Sequence, residues 1–418
     1  MFRQLLIKEC RQTVKSLIYW LVVLVLVLDF SSQLGGLEIM SEPKKGQEGY
    51  GFHYSKDKDV IMETTLGVLL EEYSRESYAT YPIGFYKSVT LSDAETHRIE
   101  EIIKETTGLA GKEEVEKAIE DWYAGQKQDS GQMIMVRGMA YKPADGLSYK
   151  RFVELMEEAD DILGGGSNYG AGYREKNADL PMTYEEALEE YQTLIKKDKL
   201  SGGYARLFSD YMVIFLGIVP VFLAVTRILR DRRSQMQELI YTRKGSSLVI
   251  VGSRFLAMLV MLILPVLAIS VIPLAQCISY GNTAGVPVDV FAFVKYTFGW
   301  LVPTIMAALA VGMFLTELTD TAIAVLVQGA WWFVSAFSSL GDLRGGMYGW
   351  NLMPRHNTEL NWSGYHDGFA QLAANRLFYA VFALVLLAFT VVIYSQKRKG
   401  RMQIRGKILA NRKSKLEI

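Results

Sequence analysis

Long apolar runs alternate with polar stretches along this chain of 418 residues. A helix needs about 20 apolar residues to cross about 30 Å of hydrocarbon, because each residue advances it by about 1.5 Å. By that measure the sequence predicts six transmembrane helices, TM1 to TM6, at 17–36, 209–229, 249–275, 291–315, 321–340 and 376–395. The predicted fold class is therefore an α-helical integral membrane protein.

Two interpretations fit the first and shortest apolar run, LIYWLVVLVLVL. It is either an uncleaved anchor, which needs Phe30 and the small residues after it to span, or the core of a signal peptide. The following segment, DFSSQLGG, lacks a clean small-x-small cleavage pattern, and the basic region before the run is long and contains Glu9. These two features favour the anchor.

The polar segment 37–208, between TM1 and TM2, is long enough to form a core of its own. Capping boxes at Ser92 and Thr183 predict two helix starts, and the amphipathic stretches 112–124 and 148–163 predict two more helices. Two further stretches, IGFYKSV and QMIMVRGMA, are typical of strands. We expect a mainly helical α+β extracytoplasmic insert after the first helix, and one straight helix leading from LSGG into TM2.

The remaining segments complete the predicted layout. The stretch MFRQLLIKECRQTVK repeats its apolar positions with a helical period, so 1–16 is predicted to form an amphipathic helix on the inner leaflet. Residues 230–248 form a polar loop between TM2 and TM3, and 276–290 form a turn. Residues 341–375 form an outer loop, and 396–418 a basic tail.

Basic residues orient the predicted helices. They precede TM1, surround the 230–248 loop and fill the tail, and Lys and Arg near span ends mark the cytoplasmic side. The chain is therefore predicted to be a multi-pass protein of the cell membrane with cytoplasmic N- and C-termini. Segment 37–208 is acidic and the rest basic, although the formal net charge is zero. Because this split follows the topology, the basic tail indicates contact with anionic lipid of the membrane and no nucleic-acid partner.

The two cysteines, Cys10 and Cys277, fall on opposite sides of the predicted membrane and cannot form a disulfide. A large outer domain without cysteine is consistent with a bacterial surface, where disulfides are optional. The protein is therefore expected to be bacterial.

Motifs for catalysis are missing from the sequence. The glycine-rich stretch GGGSNYGAGY lacks the Gly-Lys-Ser/Thr of a phosphate loop, and no Walker signature occurs elsewhere. His53, His97, His356 and His366 form no HExxH motif, so neither a metal site nor an enzymatic activity is expected. Charged residues are nearly absent from the predicted spans, which argues against a proton-relay transporter.

The polar loop RDRRSQMQELIYTRKGSS carries apolar residues at helical spacing. Ile228, Leu229, Met236, Leu239 and Ile240 recur at intervals of three, four and seven, which predicts an amphipathic helix continuing from TM2 up to a break at Gly245. A merely solvated connector would not need such a face. The apolar face therefore indicates a docking surface for a partner.

The layout resembles the permease subunit of a type-2 ABC exporter, in the ABC-2-type transporter family. The similar parts are the inner-leaflet helix, the loop motif QELIYTRKGSS, the start SRFLA of TM3, and the motifs NRLFY and QKRKG that bound TM6. The resemblance implies a coupling element that docks on a cytoplasmic ABC ATPase dimer and that includes Asp231, Gln237, Glu238, Ser246, Ser247 and Arg254. We add Met236 and Leu239 from the apolar face, and Glu317 and Asp320 from the turn between TM4 and TM5 as a second contact with the ATPase. The resemblance also implies a second permease, identical or different, and ATP with Mg²⁺ bound in the partner and not in this chain.

Two functions are therefore consistent with the sequence. The first is the membrane-spanning permease of an ABC exporter without enzymatic activity of its own. The alternative is a membrane-anchored receptor or sensor whose acidic outer domain binds a ligand such as a cationic peptide. The large insert departs from the shortest members of the family, so the substrate stays open.

Overall fold

The structure is a computed structural model. It describes residues 1–401 apart from 48, 56, 83–85, 130–137, 172, 175–177, 243–244, 341–345 and 347, and without the side chains of 54, 126–129, 179, 237–238 and 338–340. The chain divides into two compact units. One unit joins Met1–Met40 to the chain from Gln192 onward, and the other is Ser41–Tyr191.

The elements are numbered in chain order. Up to the end of the Ser41–Tyr191 unit they are α1 (Phe2–Val14), α2 (Leu17–Leu34), β1 (Phe52–Tyr54), α3 (Lys58–Ser74), β2 (Tyr78–Thr80), β3 (Lys87–Val89), α4 (Asp93–Thr107), α5 (Lys112–Asp129), α6 (Tyr149–Ile162), β4 (Asp179–Pro181) and α7 (Tyr184–Lys196). The helices that follow are α8 (Ser201–Leu216), α9 (Val219–Arg233), α10 (Gln237–Tyr241), α11 (Ser247–Ala284), α12 (Ala292–Thr319), α13 (Ile323–Leu340) and α14 (Trp362–Arg398).

Helices α2, α11, α12 and α14 are each long and apolar enough to cross a membrane. Helices α8 and α9 pass the same test together, which makes five such elements among the described residues if the pair is one span. The chain is therefore an α-helical membrane protein. Helix α13 corresponds to TM5, but its described apolar part, Ile323–Phe337, is shorter than a full span. The number of six spans remains a prediction.

The helix expected to lead from LSGG into TM2 is present as α8, but TM2 itself is broken, because α8 and α9 are bent by 42°. Met353 packs so closely on Gly217 that a Cβ there would lie 2.5 Å from the methionine sulfur. Two side chains of α13 bind the carbonyl groups near the break: Gln328 donates to Gly217 O at 2.6 Å, and Trp332 donates to Ile214 O at 2.7 Å. Inserted side chains that bind freed carbonyls are a usual cause of a helix break.

Two helices extend beyond their predicted bounds. Helix α11 runs through most of the predicted 276–290 turn and ends where Gly285 adopts a positive φ of 70°. Helix α14 begins inside the predicted 341–375 loop, where the side chain of Asn361 accepts a hydrogen bond from Gly364 N. Both ends are set by a cap residue, which hydropathy does not detect.

The unit that joins Met1–Met40 to the chain from Gln192 onward is a helix bundle packed around α12. This helix lies against α14, α9 and α13, while α1 lies along α11. Its core also takes in Leu194, Leu200 and Tyr204, which had been assigned to the insert. The compact Ser41–Tyr191 unit is therefore shorter than the predicted 37–208, because residues after Gln192 bury their apolar side chains in the helix bundle.

The Ser41–Tyr191 unit is mainly helical with two small antiparallel β-pairs, β1–β4 and β2–β3. The capping box at Ser92 is present, and Thr183 and Glu186 make the equivalent reciprocal contacts. The end of IGFYKSV forms β3, while residues 83–85 and most of QMIMVRGMA lie outside the described residues. The final part of that stretch crosses α3 as a loop, so closely that a Cβ at Gly67 would lie 1.7 Å from Met139 O.

Candidate functional site

The loop between α9 and α11 contains the predicted docking surface, but it is not one continuous helix. Helix α9 ends at Arg233, Gln235 has a positive φ of 53°, and a separate short helix, α10, follows. On this loop Met236 and Leu239 are 45% and 54% exposed. The predicted apolar face therefore exists over α10, while the positive φ interrupts its continuation from α9.

The other predicted residues of this loop have distinct places. Ser246 caps α11 by accepting a hydrogen bond from Val249 N at 3.2 Å, and Ser247 is the first residue of that helix. The backbone of Gln237 and Glu238 belongs to α10, whereas their side chains lie outside the described part of the chain. The two serines therefore set where the long helix α11 begins.

A buried ion network joins α1, α9 and α11 beside this loop. Arg227 donates to both carboxylate oxygens of Glu9, from Nε at 2.6 Å and from Nη2 at 2.7 Å. Arg227 also donates to Asp231 Oδ1 at 3.1 Å, and Asp231 accepts a further bond from Arg254. Each buried charge has a hydrogen-bonded partner of opposite sign, which offsets the cost of removing it from water. We call Glu9, Arg227, Asp231 and Arg254 the α1 network.

A second ion network joins α12, α14 and α9. Lys397 Nζ lies 2.6 Å from Asp320 Oδ1 and 3.5 Å from Glu317 Oε1, and all three side chains are nearly buried. Arg232 adds a contact of 3.0 Å from its Nη2 to Asp320 Oδ2. Asp320 ends α12 with a positive φ of 59°. We call these four residues the α12 network.

The two networks border the same narrow gap under α10. Asp231 and Arg254 line it from one side, and Glu317 and Asp320 from the other. The structure therefore brings together four residues that lie far apart in sequence and that had been predicted as one coupling element. Sequence reasoning named these four but could not show that they meet.

Helix α10 is itself attached to the end of α14. Arg398 donates from Nε to Tyr241 O at 2.8 Å, and from Nη1 to Gly245 O. Tyr241 also packs edge-on against Tyr394 of the same helix, with 5.5 Å between ring centroids. Helix α10 is therefore bonded to α14 through its backbone, and α14 is bonded to α12 through Lys397.

Sequence reasoning missed four residues of these networks, Glu9, Arg227, Arg232 and Lys397, and also Arg398, which binds α10. A signal for some of them exists in the sequence. Arg227 lies one helical turn before Asp231, a spacing at which opposite charges meet. Glu9 is the single acidic residue of α1, which marks it as the candidate counter-charge for a distant arginine.

Charged residues at the ends of two predicted spans, TM2 and TM6, are buried. At the other end of the bundle Asp210 of α8 is buried and accepts a bond of 2.7 Å from Arg355 Nε. In α14 the buried Arg376 of the NRLFY motif donates to Trp300 O at 3.0 Å and to Leu352 O at 3.2 Å. These charges bind the 348–361 segment between α13 and α14 to the bundle.

His356 lies in this 348–361 segment and is fully buried. Its Nδ1 is 2.8 Å from Tyr348 Oη, and its Nε2 is 3.2 Å from Leu360 O. Burial, with a smaller effect from the positive charge of Arg206, lowers the pKa of His356 to about 3. The imidazole is therefore neutral at physiological pH. Within the described residues no group of three His, Cys, Asp or Glu side chains is placed to hold a metal ion.

Helix α14 separates the 348–361 segment from the two networks. Its 37 residues extend over about 55 Å, at about 1.5 Å per residue. The networks and the 348–361 segment therefore lie at opposite ends of the bundle, and α14 contacts both. No family model, no curated protein and no solved structure matches the chain.

Proposed function

We propose that this protein is the membrane-spanning permease subunit of an ABC exporter, powered by a separate ATPase dimer that binds α10. The observation that carries the proposal is the arrangement of this short helix. The apolar side chains of Met236, just before α10, and of Leu239, within it, are exposed. The backbone of α10 is hydrogen-bonded to Arg398 of α14. A helix that is exposed on one side and attached to the bundle on the other fits a force-transmitting contact.

In the proposed mechanism, closure of the ATPase dimer on ATP and Mg²⁺ moves α10. The displacement reaches α14 through Arg398 and α12 through Lys397, and the α1 network moves α9 and α11 with it. Because packed helices rearrange between discrete states and do not deform continuously, a small shift at α10 changes the packing of the spans. The ATPase then favours one of two states by its differential affinity for them.

The proposal includes a membrane orientation and a second permease. The networks and both chain termini would lie in the cytoplasm of a bacterial cell, and the Ser41–Tyr191 unit outside it. The exposed apolar side chains along α14 would face lipid or the second permease, which is either identical or different: Leu377, Phe378, Val381, Leu384, Val385, Phe389 and Val392. ATP would bind in the partner subunit alone.

The test is purification of the chain from its native membrane in mild detergent, with detection of co-purified ATPase. We expect a stoichiometric Walker-containing ATPase with the wild type. The double variant Met236→Asp with Leu239→Asp should lose it by about 30-fold or more, since a buried interface residue contributes about 2 kcal/mol or more.

The matched control places two aspartates on exposed apolar positions of the Ser41–Tyr191 unit, Phe52→Asp and Tyr86→Asp, and should keep the ATPase. Retention of the ATPase by the α10 variant would show that α10 is not the docking site. If no ATPase co-purifies with the wild type, under conditions that preserve other membrane complexes, the result would favour the receptor function.

A further inference from the structure

A cleft of about 460 Å³ lies between α1, α9 and α11 at the network end of the bundle. Its volume falls within the range of about 300–1,000 Å³ that is usual for small-molecule sites. Charged side chains line it: Lys8 and Glu9 from α1, Arg227, Arg230 and Asp231 from α9, and Arg254 from α11. Three helices from separate parts of the sequence therefore form one charged cleft.

The basic side chains that line this cleft outnumber the acidic ones. Both lining carboxylates are already paired with buried arginines of the α1 network. Lys8 and Arg230 are exposed, and among the described residues the side chain of neither makes a hydrogen bond or an ion pair. Arg254 is buried, and its Nε has no hydrogen-bond partner in the same set, although it lies 3.7 Å from Glu9 Oε1. With four basic and two acidic lining residues, the cleft has an excess of two positive charges.

Helix α1, which lines the cleft, also exposes apolar side chains, among exposed basic ones such as Arg3 and Arg11. On α1, Phe2, Ile7 and Val14 are 41%, 44% and 41% exposed, and Leu17 at the start of α2 is 73% exposed. A helix with one charged face in a cleft and apolar side chains on its outer side is suited to the interface of a bilayer. A ligand that enters from this side meets cations in the cleft and hydrocarbon outside it.

We propose that the cleft binds the phosphate of an anionic phospholipid, with the headgroup between Lys8 and Arg230 and the acyl chains along the outer side of α1. A phosphate oxygen accepts charge-assisted hydrogen bonds from both cations. The apolar wall of the cleft, which includes Leu5, suits the glycerol backbone. Met236 and Leu239 also line the cleft, so the bound lipid supports the loop that carries α10. The site belongs to this chain alone and does not depend on an ATPase.

Native mass spectrometry of the full-length chain in detergent tests this proposal, with short-chain phosphatidylglycerol, phosphatidylcholine and inorganic phosphate as separate probes. We expect one phosphatidylglycerol to bind per chain, and neither of the other probes to bind or displace it. The double variant Lys8→Gln with Arg230→Gln should bind phosphatidylglycerol about 30-fold more weakly, because each cation near an anionic headgroup contributes the equivalent of about fivefold.

The matched control is Arg11→Gln with Arg233→Gln, which removes the same charge from the same two helices outside the cleft. It should bind like the wild type, and so should Arg230→Lys, which keeps the charge and shows that the site tolerates substitution. Equal weakening by both double variants would assign binding to a diffuse basic surface and overturn the proposal. Equal binding of phosphatidylcholine, or displacement by inorganic phosphate, would overturn it as well.

Discussion

The buried ionised side chains of the α1 network share partners with one another. Arg227 binds Glu9 and Asp231, and Asp231 binds Arg254 in turn. Removing such groups from water costs several kcal/mol per ion, and hydrogen bonds to all sides are needed to offset it. This explains why α1, a short helix with exposed apolar residues, is held firmly against α9 and α11 by the single carboxylate of Glu9.

At the residue scale, we predict that Glu9→Gln destabilises the helix bundle. The substitution removes a buried charge that faces Arg227, and breaking one side of a buried ion pair typically costs about 3–5 kcal/mol. Thermal unfolding of the purified chain in detergent measures the change. Glu38→Gln, at an exposed position on the same unit, should cost less than about 1 kcal/mol. Similar unfolding temperatures for the two variants would contradict a stabilising role for the Glu9 pair.

The 348–361 segment shows how an irregular element is held at the end of the bundle. Its carbonyl groups accept hydrogen bonds from helix side chains, including Trp300 Nε1 to Pro354 O at 3.2 Å and Tyr379 Oη to Trp350 O at 2.8 Å. Non-helical backbone buried in a membrane protein is tolerated where protein groups satisfy it in this way. The segment is therefore a structured part of the bundle.

At the element scale, we predict that the 348–361 segment loosens in acid. Burial lowers the pKa of His356 to about 3, below its value in the opened segment. The opened state then binds more protons, so closing becomes less favourable as pH falls, starting below about 6.5 and continuing to about 3. The effect approaches tenfold per pH unit.

Hydrogen exchange measures this opening, with protection factors corrected for the intrinsic pH dependence of exchange. Protection of 348–361 should fall between pH values of about 6.5 and 5 in the wild type. The His356→Gln variant should lack this part of the pH dependence, while α14 residues far from the segment serve as an internal reference. An identical pH profile in the variant would show that another group controls the opening.

The whole molecule consists of two units with separate hydrophobic cores. The core of the Ser41–Tyr191 unit is built from α3, α4 and α6 around Leu66, Ile102 and Phe152, all fully buried. Surface ion pairs join two of these helices, such as Arg98 Nε to Glu158 Oε1 at 2.7 Å. A compact segment with its own core meets the physical definition of a domain.

At the scale of the molecule, we predict that Ser41–Tyr191 folds when it is expressed alone. It should unfold cooperatively with heat, followed by far-ultraviolet circular dichroism, because its core does not need the helix bundle. Phe152→Ala should lower its stability by about 3–5 kcal/mol through the cavity that it leaves. A broad, non-cooperative transition in the wild-type fragment would contradict the prediction of an independent domain.

The sequence alone was sufficient for features that depend on local composition. Apolar runs identified α2, α11, α12 and α14 as membrane-type helices, because the length of a span follows from the thickness of hydrocarbon. Ser92 and Thr183 marked helix starts, because capping is a contact over three residues. The ten predicted coupling residues came from motifs and charge, and four of them meet around one gap.

Tertiary structure decided the features that depend on distant partners. The break at Gly217 needs Met353 and Gln328, and Glu9 finds Arg227 across 218 positions of sequence. The buried Arg376 is held by carbonyl groups of a segment that precedes α14. Periodicity describes one helix at a time, whereas these contacts arise only when helices pack, so no local pattern contains them. The position of each buried charge was therefore set by packing between helices.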